Sequence, residues 1–147
     1  MNQYEKKSIL ILGVVIAFMV FFGIGGGPLL DPDEPVYAET AREMILTGDY
    51  LSPRIFGDYW YDKPPMYYWL VAAAFHVFGD GEFAARFPAG LMAGATAMML
   101  YFSVTKLFNE RAGFWSSLVL TSSIMFFYMG KAAVTDTTLL FFMTGAL

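Results

Sequence analysis

The chain has 147 residues, of which 57% are hydrophobic, 18% aromatic and only 15% charged, with a mean hydropathy of +0.52. Soluble domains carry about 25% charged residues, so an ordinary water-facing globule is excluded and an integral membrane protein is the class indicated. The absence of cysteine excludes disulfide frameworks, thiolate zinc sites and cysteine nucleophiles, and a formal net charge of −4 argues against nucleic acid as a partner.

Residues 1–7 read as a cytoplasmic N-terminus ending in Lys6 and Lys7. Residues 8–27 are uncharged and long enough to cross a bilayer. A cleaved signal peptide is the alternative, but Gly25-Gly26-Gly27-Pro28 offers no Ala-x-Ala-like cleavage site. Residues 28–86 form the predicted external loop. Within it, residues 31–62 hold eight of the 13 carboxylates: Asp31, Asp33, Glu34, Glu39, Glu43, Asp49, Asp58 and Asp62. Asp33 stands at a predicted helix N-cap with Pro35 in the first turn. Tyr37, Ala41, Met44 and Ile45 then fall on one face, and Gly48 supplies the stop. This predicts a short amphipathic helix on the membrane surface. Gly57-Asp58 reads as a turn.

Asp62-Lys63-Pro64-Pro65 follows. Two prolines stiffen the backbone and hold a Lys beside a carboxylate, which suits either a phosphate or a structural ion pair. Met66–Phe78 is aromatic and apolar but only 13 residues long. That length favours a helix lying flat at the interface over one that spans. Lys and Arg counts do not separate the two topologies. Residues 87–105 and 112–130 each give a further uncharged span, joined by a cytoplasmic turn at 106–111. Gly90 and Gly94 form a GxxxG pair that permits close helix approach. Residues 131–147 are an external corner and the start of a fourth apolar run. Asp136 stands at its edge, where a carboxylate is either a helix cap or part of a functional site.

Several short motifs occur in a characteristic order. They are Asp33-Glu34-x-x-Tyr37-Ala38-Glu39, Gly48-Asp49-Tyr50, Tyr61-Asp62-Lys63-Pro64-Pro65-Met66-Tyr67-Tyr68-Trp69, Glu82-Phe83-Ala84-Ala85-Arg86-Phe87-Pro88 and Thr135-Asp136. Together they resemble the N-terminal third of the multi-span glycosyltransferases (GT-C type) that use polyprenyl-phosphate sugars. That superfamily includes protein O-mannosyltransferases and the aminoarabinose transferases of lipid A. The resemblance implies an all-α integral membrane fold, the N-terminal part of a larger transmembrane bundle, in the cytoplasmic (inner) membrane with its catalytic loop outside.

It implies catalytic roles for Asp33 and Asp136, substrate binding by Lys63, Glu34 and Tyr37, and Asp62 as a ligand of a divalent metal such as zinc, magnesium or manganese. The implied donor is a polyprenyl-phosphate-linked sugar and the implied acceptor lipid A or a protein. Val36 and Asp62 depart from the lipid A branch, which often has Arg and Glu there, and this leaves the sugar and branch open. His76 matches no family ligand and reads as an interfacial histidine. A non-catalytic membrane subunit or inactive remnant is the alternative function. A small transporter would place carboxylates at mid-bilayer, whereas these cluster in an external loop and at a span edge. The apolar run that begins at Thr137 is too short to cross, so a longer parent protein is expected. The isolated piece is expected to bind donor weakly without turnover.

Overall fold

Helix α1 (Gln3–Phe21) starts with the charged residues Glu5, Lys6 and Lys7 in its first turns and ends six residues before the apolar run does. Four of the six residues 22–27 are glycine, each costing a helix about 1 kcal/mol relative to alanine, and this segment turns instead. The span expected over 8–27 is thus part helix and part turn. The computed structural model describes residues 3–30 and 32–146; Asp31 of the acidic segment lies outside them.

Helix α2 (Asp33–Thr47) buries Tyr37, Ala41 and Met44, with Ile45 half-buried beside them, the face expected from their spacing. Gly48 ends it in the left-handed conformation (φ 70°), its N–H donating to the Met44 carbonyl at 3.0 Å. Asp33 is not the N-cap. Pro32 occupies that position and provides no side-chain bond, so Asp33 becomes the first helical residue.

Strands β1 (Arg54–Ile55) and β2 (Asp58–Tyr59) pair antiparallel, Arg54 opposite Tyr59 and Ile55 opposite Asp58. This small hairpin is the departure from an all-α chain. Its two turn residues, Phe56 and Gly57, both have positive φ (54° and 87°), as a tight hairpin turn requires. The Glu43 carboxylate accepts the Gly57 N–H at 3.2 Å and moors the turn to α2.

Helix α3 (Met66–Phe78) is about 20 Å long at 1.5 Å per residue, short of the ~30 Å hydrocarbon thickness. It packs on α2 and on the start of α4 (Glu82–Leu107), sharing one apolar core of Tyr37, Met44, Tyr67, Tyr68, Val71, Phe75 and Ala85. Among the described residues, α4 is the one helix long and apolar enough to cross a membrane. Its lower half, with α1 and α5 (Glu110–Ser122), builds a second core around Leu12, Ile16, Val20, Ala97 and Tyr101. The Gly90–Gly94 pair is where α1 lies on α4. A Cβ at Gly90 would meet Val20 at 2.8 Å, and one at Gly94 would meet Ile16 at 3.3 Å. The α4–α5 turn is fixed by Asn109, whose side chain accepts the Ala112 N–H at 2.9 Å.

The span expected over 112–130 is broken. Ser123 is extended (φ −65°, ψ 127°) between α5 and α6 (Ile124–Met129). The hydroxyls of Thr121 and Ser122 donate to the carbonyls of Ser117 and Val119 at 2.8 and 3.1 Å, serving acceptors near the end of α5. Ser117 donates across to Ala97 of α4 at 2.8 Å. Residues 131–135 then turn the chain into α7 (Asp136–Ala146), which packs along α4, Gly145 lying against Met99.

Candidate functional site

The start of α2, the segment before α3 and the start of α7 lie close enough to Tyr37 for their carboxylates to act on its hydroxyl. The Tyr37 ring is buried, edge-on to Tyr67 (5.1 Å between centroids) and tilted against Tyr68 (5.7 Å). Burial pushes its hydroxyl up to about 12, and the negative fields of Tyr68, Asp33, Asp136 and Asp62 add to the rise. One buried phenol therefore senses all three carboxylates expected from the sequence. Tyr37 remains a neutral hydroxyl across the physiological range, able to donate a hydrogen bond.

Asp33 and Asp136 are exposed, each at the first position of its helix. Helix N-termini favour carboxylates. No hydrogen bond or ion pair to either carboxylate occurs among the described residues, which leaves both available to a ligand. Asp136 also stands at the mouth of an apolar groove of about 260 Å³ lined by Met125, Phe126, Met129, Thr137 and Leu140. The Lys63 ammonium lies 3.5 Å from the Asp62 carboxylate, both exposed. The paired prolines place this couple just before α3, and Pro65 takes the N-cap position of that helix.

Among the described residues, no group of three or more His, Asp and Glu side chains is placed to hold a metal ion. Asp62 has Lys63 as its ionic partner. His76 shares a hydrogen bond with the Tyr50 hydroxyl at 3.1 Å, and Trp69 Nε1 donates to the Tyr50 carbonyl at 2.7 Å. The histidine and the indole thus hold the loop after α2 rather than a ligand.

Glu34 differs from its neighbour Asp33. The resemblance implies a substrate-binding carboxylate; the residue is 3% exposed and its acceptors are filled within the fold. Oε1 accepts from Arg86 Nε at 2.9 Å and the Ala133 N–H at 2.6 Å; Oε2 accepts from Arg86 Nη2 at 2.7 Å and the Leu30 N–H at 2.6 Å. Burial raises this carboxyl, yet the Arg86, Leu30 and Ala133 hydrogen bonds outweigh it and hold the group below its ordinary value. Arg86 further donates to the carbonyls of Ile24, Gly27 and Pro28 at 2.7–2.9 Å. The sequence shows Arg86 as the last charge before a long apolar run. That it turns back 52 residues to Glu34 is visible only in the fold.

Residues 62–147, more than half of the chain and including Asp62, Lys63 and Asp136, match the family described as dolichyl-phosphate-mannose-protein mannosyltransferase. The chain belongs to that family. Within this mannosyltransferase family and its neighbours, the chain is 30% identical over 137 residues to an undecaprenyl phosphate-alpha-4-amino-4-deoxy-L-arabinose arabinosyl transferase of Aeromonas hydrophila, covering 92% of this chain and 25% of that protein. It is 30% identical over 148 residues to the enzyme of the same name from Yersinia enterocolitica, covering 100% of this chain and 27% of the relative. The crystal structure of ArnT from Cupriavidus metallidurans bound to undecaprenyl phosphate superposes with a TM-score of 0.87 at 26% identity, over 92% of this chain and 25% of that one. The chain spans about a quarter of the length of the curated relatives it matches. Its fold is that of the corresponding part of ArnT.

Proposed function

We propose that this chain supplies the donor-facing acidic end of a glycosyltransferase. The enzyme moves a sugar from a polyprenyl phosphate to a lipid A-type acceptor at the outer face of the cytoplasmic membrane. The observation that carries this reading is the convergence of Asp33, Asp136 and the Asp62–Lys63 couple on Tyr37. They converge in a framework matching a structure that holds undecaprenyl phosphate. The proposed orientation places α2, the hairpin and α3 outside, with α3 flat at the interface. Its 13 residues and its packing on the amphipathic α2 support that placement.

Transfer breaks the bond between the anomeric carbon and the phosphate oxygen. The electron pair leaves with the lipid phosphate, which gains negative charge as a new bond forms to the acceptor oxygen. Lys63 is the exposed cation at the site and stabilises that charge, exchanging Asp62 for phosphate. If the acceptor is a hydroxyl, Asp33 takes its proton; if it is a lipid A phosphate, already ionised, Asp33 orients the sugar. Asp136, across the site, holds the polar end of a donor whose isoprenoid chain fits an apolar groove such as the one beside it. Tyr37 donates a hydrogen bond from below.

The test is sugar transfer in proteoliposomes by the protein as its natural gene encodes it, with undecaprenyl-phosphate-linked aminoarabinose and lipid A. Asp33→Asn is expected to abolish transfer while membrane insertion stays unchanged. Unchanged transfer would remove Asp33 from the mechanism. No transfer by the unsubstituted protein with either aminoarabinose or mannose donors would refute the reading.

A further inference from the structure

Among the described residues, the Glu34 carboxylate has all four acceptor sites filled, and the transfer chemistry above does not use it. Resting on the proposed function, we propose that Glu34, ionised against Arg86, is a positioning residue that sets Asp33 and Asp136 at their working separation.

Glu34 follows Asp33 directly in α2, so holding one fixes the backbone of the other. Its Oε1 accepts the N–H of Ala133, 99 residues away, at 2.6 Å. Ala133 lies three residues before Asp136, in a corner tightened by the Val134 N–H donating to the Ala132 carbonyl at 2.8 Å. One carboxylate thus touches the element carrying Asp33 and the corner carrying Asp136. Arg86 fastens that carboxylate to α4 and, through three carbonyls, to the turn after α1. A second strap reaches the same corner from the other side: Lys131 Nζ donates to the Phe22 carbonyl at 2.7 Å, its ammonium 4.3 Å from the Phe127 ring centroid.

A need for stability does not explain this choice of residues. Apolar side chains of similar volume often replace a buried ion pair at no loss. What apolar groups cannot do is aim at two backbone N–H donors and a guanidinium at once. A carboxylate has the four lone-pair sites that this geometry fills. Ala133 is fully buried, so its N–H has no water to replace Glu34.

Glu34→Gln tests the assignment. The amide keeps the shape but turns an NH2 toward donors that the carboxylate accepted. Two readouts apply to the natural protein. One is the distance distribution between spin labels at Leu46→Cys on α2 and Leu139→Cys on α7, both exposed positions. The other is the kinetic split. We expect the distribution to broaden, and kcat to fall on the order of 10²-fold, as for a misplacement near 1 Å, with the donor KM rising by less, since Asp136 holds one end of the donor. A merely structural role would lower the yield of folded protein and leave kcat per folded molecule intact. Should Glu34→Gln not fold, Lys131→Met removes the second strap without leaving a buried charge and is expected to shift both readouts in the same direction, by less. An unchanged label distribution in a folded Glu34→Gln protein would overturn the proposal and leave the transferase reading standing. A broadened distribution in Glu34→Gln together with no sugar transfer by the unsubstituted protein would sink the transferase reading and keep the clamp.

Discussion

At the scale of single residues, Asp33 and Glu34 show how neighbours acquire opposite roles. They stand side by side in the sequence, and motif order alone makes both candidate ligands. Successive helical residues point about 100° apart, so one carboxylate faces out while the other is drawn under α2 to Arg86. Asp33, Asp62, Lys63 and Asp136 could be read as a group only through the order of the family's motifs, because charge and spacing alone leave each a helix cap or a structural ion pair. Arg86 could not, because its role depends on contacts 52 residues away. The buried bonds to Glu34 carry a pH dependence whose sign follows from its lowered pKa. The unfolded carboxyl titrates near 4.5 and the folded one below it. The stabilisation is therefore complete above the ordinary carboxyl range and lost as the pH falls through the folded value. Amide hydrogen exchange is expected to show high protection at Leu30 and Ala133 at neutral pH, with a loss specific to these amides on acidification. Protection at these two amides that stays constant down to global acid unfolding would contradict it.

At the scale of elements, the helices follow hydropathy and the breaks follow local hydrogen bonding. The α2 face and its Gly48 stop were readable from side-chain spacing and from a residue suited to φ 70°. The break at Ser123 was not, because hydropathy averages over the hydroxyls of Thr121 and Ser122 that take up carbonyls near the end of α5. The GxxxG pair was readable as permission for close packing, and α1 uses it. A tighter approach, at Gly113 of α5, carries no such motif. A Cβ there would meet the Tyr101 carbonyl oxygen at 2.7 Å and the Thr105 hydroxyl closer still. Gly113→Val is expected to destabilise the protein by at least the ~1–3 kcal/mol typical of overpacking, because the obstacle is backbone. Thermal unfolding in detergent checks this, with exposed Val119→Leu as the control that leaves the midpoint in place.

At the scale of the whole molecule, two apolar cores divide the labour. One joins α1, the lower part of α4 and α5. The other joins α2, α3 and the start of α4 and carries the acidic site on its rim. The proposed topology puts the hairpin and the α3–α4 turn on the same outer side. The chain has no cysteine, which makes single replacements in it clean reporters. In intact cells an impermeant thiol reagent is expected to label Asp58→Cys and Asp80→Cys alike, and Asn109→Cys only after permeabilisation. Labelling of Asp58→Cys but not Asp80→Cys would mean that α3 spans the membrane, and would part Asp136 from Asp33.

The central claim is that the exposed end built on Tyr37 receives a lipid phosphate. Steady-state transfer from an undecaprenyl-phosphate sugar by the natural protein, compared with its Lys63→Ala variant, tests that most directly. A charge-assisted contact is worth about 1.5–3 kcal/mol, so kcat/KM is expected to fall by roughly 10- to 100-fold, with Lys63→Arg recovering part of the loss. A Lys63→Ala protein that transfers sugar as fast as the unsubstituted one would contradict the claim.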